Sequence, residues 1–306
     1  MLRRLLVLAG AFAPRPPTYA SALLLLSAGA LWADFGRGKG DFIYPVGVAI
    51  DPKGNVYVSE YGNDRVQVFD ENAEFIRTWG GYGQGPGQFD EPSELALDSQ
   101  GNVYVCDTEN HRVMKFDPQG KFLLTIGSFG SEPGQFNDPY GVAVNRQGKI
   151  FVTDRGNDRV QVFDASGNLV LIWGSPGMEK GQFDEPTGIA AERSGSILVV
   201  DTDNSRVQRF SSDGKFLSLF GKWGDREGEL TSPTAVATAP NGNIYVLDTG
   251  NDRVQEFDST GSFLSTWGTQ GRNPGEFRFP LGLACDKDGN VFVIDTGNHR
   301  MQRFSP

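Results

Sequence analysis

The chain has 306 residues, with 28 Lys and Arg against 38 Asp and Glu, a formal net charge of -10, and 40 glycines. A surface this acidic repels phosphate backbones, whose binding rests on clustered basic side chains that displace counterions, so no nucleic-acid partner is expected. Glycine at this level beside many aromatics points to short strands and tight turns and leaves little of the chain for helix.

The N-terminus reads "MLRR", then "LLVLAGAFA", then "PRPPTYA": the charged, apolar and small-residue regions of a secretory signal. Thr18-x-Ala20 is the preferred cleavage site. A second apolar run, Ser21 to Ala33, offers another at Ala28-x-Ala30, and the break at Pro14 to Pro17 keeps the two runs from fusing into one spanning helix. Residues 1–27 are therefore read as a signal peptide or apolar N-terminal segment. The protein is expected to be exported (periplasmic, extracellular or membrane-tethered), touching a membrane only through that segment; a cytoplasmic protein with a sticky tail is the alternative. Residues 28–306 are read as one domain.

From Pro45 onward the sequence is periodic. Prolines recur at 45, 92, 139, 186, 233 and 280 and arginines at 65, 112, 159, 206, 253 and 300, each 47 residues after the last. A fixed period of this length signals a repeat architecture. Unit five, which opens at Pro233, splits into "PTAVATA", "IYVLD", "RVQEFD" and "FLSTWG", separated by "PNGN", "TGND" and "STGS". Gly-containing turns between runs rich in Val, Ile, Phe, Tyr and Trp make a four-stranded antiparallel meander, strands a to d. Six such units are the recipe for a β-propeller. The Pro-x-Gly-x-Ala start of strand a places small residues where six chains converge. Phe69, Phe116, Phe163, Phe210, Phe257 and Phe304 recur in strand c as filler between blades.

The pattern P-x-G-x-A...D-x-x-G-N-V-Y-V-x-D-T-x-N-x-R-V-Q-x-F, six times over residues 45 to 306, resembles the NHL repeat. The resemblance implies a six-bladed, all-β propeller. It leaves activity open, because NHL-type propellers include sensor ectodomains, RNA-binding domains of tripartite-motif proteins and the amidating lyase.

Unit six ends at Phe304-Ser305-Pro306, after strand c, so its blade lacks an outer strand. Counting 47 back from Trp79 lands on Trp32, and from Phe89 on Phe42. The stretch "AGALWADFG" is thus expected to supply strand d of the last blade and leave no long edge open. Cleavage after Ala30 would remove half of that strand; cleavage after Ala20 would spare it.

At the turn between strands b and c each unit carries an acid, an Asn and an Arg: Glu60, Asn63, Arg65; Asp107, Asn110, Arg112; Asp154, Asn157, Arg159; Asp201, Asn204, Arg206; Asp248, Asn251, Arg253; and Asp295, Asn298, Arg300. A pocket is made once, not six times, so these residues are read as structural. Asn is assigned to the left-handed turn position, and Arg to a forked contact with the carboxylate or with neighbouring carbonyls.

Catalytic signals are sparse. The two histidines, His111 and His299, sit two blades apart where zinc catalysis needs several on one ion. No nucleophile signature or Gly-rich phosphate loop is present, and no unit carries an insertion. Cys106 and Cys285 fall in strand patterns of different units and are read as buried free thiols. The expectation is a monomeric, non-enzymatic propeller without a cofactor that binds a protein, peptide or small polar ligand. The alternative is a divalent-metal hydrolase or lyase, with calcium the candidate ion, at the channel mouth.

Departures from the repeat locate the candidate site. Glu94 replaces the Gly or Ala of strand a; Glu109 and Asp203 replace Gly in the b-to-c turn; Arg155 replaces a residue that is Thr in four units; and His111 stands just before the repeat Arg. Before the prolines, Asp90-Glu91, Asp138 and Asp184-Glu185 form an acidic arc beside an apolar, aromatic one at Ile43-Tyr44 and Arg278-Phe279, with Tyr61 and Tyr140 nearby. Glu94, Glu109, His111, Arg155 and Tyr140 are the expected ligand-binding residues, at the seam of blades two and three.

Overall fold

A computed structural model describes residues 28–32 and 35–305, with side chains from residue 35 onward. The signal-like segment 1–27 lies outside the described residues. The described chain forms 24 strands in six four-stranded antiparallel sheets, with three short 3-10 turns. β1 (Ala28–Trp32) is followed by blade one: β2 (Pro45–Ile50), β3 (Val56–Glu60), β4 (Arg65–Phe69) and β5 (Phe75–Gly80). The same meander recurs over residues 92–126, 139–173, 186–220 and 235–267, and the last unit supplies three strands over 282–304.

Each hairpin follows from its turn residues. Gly242 and Gly261, in the two tight turns of unit five, have φ of 91° and 94°, a backbone region open to glycine at little cost. Where strands a converge, space is short at the glycines: a Cβ on Gly282 would stand 2.0 Å from the carbonyl oxygen of Val46 in the adjacent blade.

Blades pack through apolar clusters at their seams. Tyr57, Val66 and Val68 of blade one meet Phe89, Leu95, Val103, Val105 and Phe116 of blade two. Phe69, Phe116, Phe163, Phe210, Phe257 and Phe304 are all at most 2% exposed, and each lies in a cluster shared by two blades. The seam between blades six and one is built the same way, with Phe292, Ile294 and Met301 against Val48, Val56, Val58 and Phe69.

Closure follows the repeat register. Trp79, Trp173 and Trp267 pair with Val66, Val160 and Val254, and Trp32 of β1 pairs with Met301, one period after Val254. The N-terminal strand therefore completes the last sheet as its outer strand. Removing residues 1–35 should expose the edge of the Arg300–Phe304 strand and lower the melting temperature or promote aggregation, read by thermal unfolding and sedimentation; an equally stable monomer would contradict this closure.

Candidate functional site

The acid that ends strand b is fully buried in every blade. In blade five the Asp248 carboxylate accepts hydrogen bonds from Arg253 Nε (2.6 Å), Asn251 Nδ2 (2.9 Å), Gln255 Nε2 (2.9 Å) and the Thr231 amide (2.7 Å). Arg253 then reaches the loop that leads into its own blade, donating from Nη1 to the carbonyl of Asp225 (2.8 Å) and from Nη2 to those of Arg226 (2.8 Å) and Glu229 (2.9 Å). All six blades repeat the Nε contact at 2.5–2.7 Å. Burial is the largest influence on each of these carboxyls and pushes them above the usual carboxylate range, while the Arg and Asn donors pull the other way. With its donors committed inside the protein, the motif acts as a clamp on the d-to-a loop. Blade two departs from it, because buried Met114 stands where the other five have Gln.

The left-handed residue of the b-to-c turn is not the Asn but the residue after it: Asp64, His111, Asp158, Ser205, Asp252 and His299 have φ of 50–56°. The Asn is held elsewhere, its amide bridging the strand-b carboxylate and a glycine carbonyl of the d-to-a loop, as Asn251 does to Gly224 (3.0 Å). The left-handed side chain is an acceptor for the next blade. Asp64 Oδ1 receives the Glu91 amide (3.0 Å), Asp158 Oδ1 that of Glu185 (2.9 Å) and Asp252 Oδ1 that of Phe279 (2.7 Å); His111 Nδ1 receives Asp138 (3.1 Å) and His299 Nδ1 receives Tyr44 (3.1 Å). This explains why His and Asp interchange in the repeat: both offer a lone pair at the same place.

The amides so pinned belong to a second left-handed ring just before the strand-a prolines: Tyr44, Glu91, Asp138, Glu185, Ser232 and Phe279, with φ of 43–54°. This region is uncommon for residues other than glycine and is strained unless the surroundings impose it. Here the pins hold all but Ser232 in it, and the ring borders the mouth of the central channel. Three neighbouring members are carboxylates and two are aromatic.

Within this frame the structure brings His111, Asp138, Arg155 and Glu185 together. Asp138 lies 3.5 Å from His111 Nδ1 and 3.1 Å from Arg155 Nη2, and Arg155 Nη1 lies 3.7 Å from Glu185. Burial, then the neighbouring Glu185 and Asp184, push Asp203 up to about 6. Glu109 sits across the seam of blades one and two, its amide bonded to the Asp90 carbonyl (3.2 Å), in a neighbourhood shared with Glu91 and Tyr61. Tyr140 leans over the channel and packs against Val46 and Leu281 of blades one and six, with Tyr61 and Phe279 alongside, so an apolar plug fills the mouth. Glu94 is not on the face with the others; it lies further along strand a, inside the channel. Among the described residues no three of His, Cys, Asp and Glu converge as a metal-binding group.

One further ring lies in the d-to-a loops. Phe35, Tyr82, Phe129 and Trp223 occupy the same position in four of the six d-to-a loops and are 66–76% exposed. Phe129 packs in a tilted contact against His111 with ring centroids 4.6 Å apart, and Phe35 likewise against His299 at 4.7 Å, which puts this ring on the face of the b-to-c turns. Their common 47-residue phase was the available signal.

The NHL repeat matches residues 42–69, 89–116, 136–163, 183–210, 230–257 and 277–304, together more than half of the chain. The chain belongs to the NHL-repeat family. Curated proteins yield no match. Solved structures similar to this NHL propeller include a gluconolactonase from Xanthomonas campestris (16% identity, 96% of each chain covered, TM-score 0.67) and a streptogramin B lyase (15% identity, 85% of this chain and 92% of the other, TM-score 0.62). A protein of unknown function from Bacteroides thetaiotaomicron is also similar (19% identity, 92% of this chain and 73% of the other, TM-score 0.68). At these identities the likeness is one of fold.

Two outcomes follow for the NHL clamp and its pins. Arg253→Ala should lower stability by roughly 1–3 kcal/mol in chemical denaturation, because buried Asp248 and three loop carbonyls lose donors. His299 is held below its ordinary pKa of 6.5 by burial and then by Arg278, against Asp295. The unfolded chain therefore binds this proton more readily than the folded one, so the stability owed to neutral His299 is complete above about pH 6.5 and lost as pH falls below it. Relative to wild type, His299→Asp should flatten the decline in stability between about pH 7 and 5, the Asp remaining an acceptor there; parallel profiles for the two proteins would contradict the pin.

Proposed function

We propose that this propeller is a binding protein that receives a polypeptide bearing basic and apolar side chains on the face of its b-to-c turns, centred on the channel mouth at blades two to four. The observation that carries the reading is the second left-handed ring. A strained backbone recurs at six places, five of them pinned by the preceding blade, and its side chains divide into Glu91, Asp138 and Glu185 on one side and Phe279 and Tyr44 on the other. Asp90, Glu109, Asp184 and Asp203 thicken the acidic side, and Arg155 is the cation set among them. Carboxylates crowded this closely repel one another, and a basic partner would relieve that repulsion while gaining rate and specificity from the complementary field. The exposed Tyr82, Phe129 and Trp223 supply apolar and cation–π contacts around it.

The test uses two fluorescent peptides, one alternating Lys and Leu and one alternating Glu and Leu, followed by anisotropy. The Lys/Leu peptide should bind, weakening as salt is raised. The triple variant Glu91→Ser, Asp138→Ser, Glu185→Ser, which takes the residue found at Ser232, should weaken it at least about tenfold with little change in melting temperature. Equal binding of the acidic peptide, or undiminished binding by the variant, would overturn the reading.

A further inference from the structure

Below the apolar plug, Glu94 stands in strand a of blade two (Pro92–Leu97), where the other units have Gly or Ala. Its side chain finds room beside Gly141: a Cβ added there would lie 3.2 Å from Glu94 Oε2. The carboxyl is enclosed by strands yet partly accessible along the channel, and burial alone pushes it up to about 8. The titratable groups facing it are Cys106 on strand b of its own blade and Tyr140 on strand a of blade three, with Arg155 beyond Tyr140; strand a of blade one, "PVGVAI", brings none. No ion pair joins Glu94 to a cation among the described residues, and Arg155 is already turned to Asp138 and Glu185.

A second observation points to the same place. Tyr140 is 3% exposed, and its hydroxyl has no hydrogen-bond partner among the described residues. A buried hydroxyl left unpaired is costly, and native structures rarely carry one without a reason. The neighbouring strand-b position supplies an inter-blade hydroxyl in blades one and three only: Ser59 Oγ donates to the Ser93 carbonyl, and Thr153 Oγ1 donates to the Thr187 carbonyl (2.6 Å) and accepts the Gly141 amide (2.7 Å), whereas blade two offers Cys106, a weak donor, and Val200, Leu247 and Ile294 offer none.

We propose that the channel below Tyr140 holds one ammonium group, the tip of a lysine side chain inserted by the basic partner, with Glu94 as its counter-ion and the Tyr140 hydroxyl as a neutral acceptor. This rests on the mouth being a face for basic polypeptides and names the anchor that such a partner would use. To reach Glu94 the lysine must part the plug of Val46, Leu281 and Tyr140, whose apolar side chains would then line its four-carbon stem, and the compact ammonium has three donors for acceptors below it. Entry of the cation favours ionised Glu94, so the Glu94 proton passes to solvent as the ion pair forms.

The experiment is calorimetric titration of n-butylammonium chloride near neutral pH, in two buffers of different ionisation heat. Wild type should bind one ammonium per chain and release up to about one proton, because Glu94 is largely protonated below about pH 8. Glu94→Gln should abolish the proton release and weaken binding at least about tenfold, while Tyr140→Phe should weaken binding but keep the release. Glu94→Gly, the residue of the other blades, serves if the Gln variant fails to fold, and n-butanol should not bind. Release that persists in the Glu94 variants, equal binding of n-butanol, or displacement of ammonium by calcium chloride would overturn the assignment, as would the absence of saturable binding. The two readings separate cleanly. The triple serine variant should lose the Lys/Leu peptide and keep butylammonium; a wild type that binds the peptide but not butylammonium would leave the mouth standing and remove the channel site.

Discussion

The architecture hangs on a buried carboxylate at the end of strand b in each blade. Taking that charge out of water is expensive, and the cost is offset by one guanidinium, amide side chains and one backbone N–H aimed at it. Because the same guanidinium also holds three carbonyls of the d-to-a loop, the carboxylate fixes a long loop with no regular structure of its own. The fixed loop then presents the left-handed residue that borders the mouth. Burial, clamp, loop and mouth are thus successive links, and only the last is free to vary in chemistry.

Much of this was legible in the sequence because a propeller is periodic. Counting one period back from Trp79 located the closing strand, and β1 pairs through Trp32 in the register that the count implies. What the sequence did not reveal depends on contacts between units. The left-handed position was assigned to Asn on its local turn preference, but Asn251 is drawn to Gly224, 27 residues earlier, and the following residue takes the strain in order to accept the next blade's amide. Glu94 was visible as a departure, yet the place of its carboxyl beside Gly141 of blade three is a contact between units. The packing of Tyr140 on Val46 and Leu281 exists only once the ring has closed.

Blade two gathers the concessions. Met114 gives up the Gln arm of the clamp and Glu94 gives up a small residue, both in one unit of six. Departures from local rules concentrated in one place, against a scaffold that keeps those rules elsewhere, are where function is expected in a folded protein. The acidic arc and the channel carboxyl are two depths of the same region, one screened by solvent and the other enclosed, so a long basic side chain would meet a steering field first and a desolvated counter-ion last.

On this proposal the six-fold framework is scaffold, and binding belongs to one arc of one face, at blades two to four. Hydrogen–deuterium exchange of the propeller with and without saturating Lys/Leu peptide tests it most directly. The account predicts added protection in the d-to-a loops and b-to-c turns of blades two to four, with the perimeter strands and the opposite face unchanged. Protection spread evenly over six blades, or confined to the perimeter or the opposite face, would contradict it.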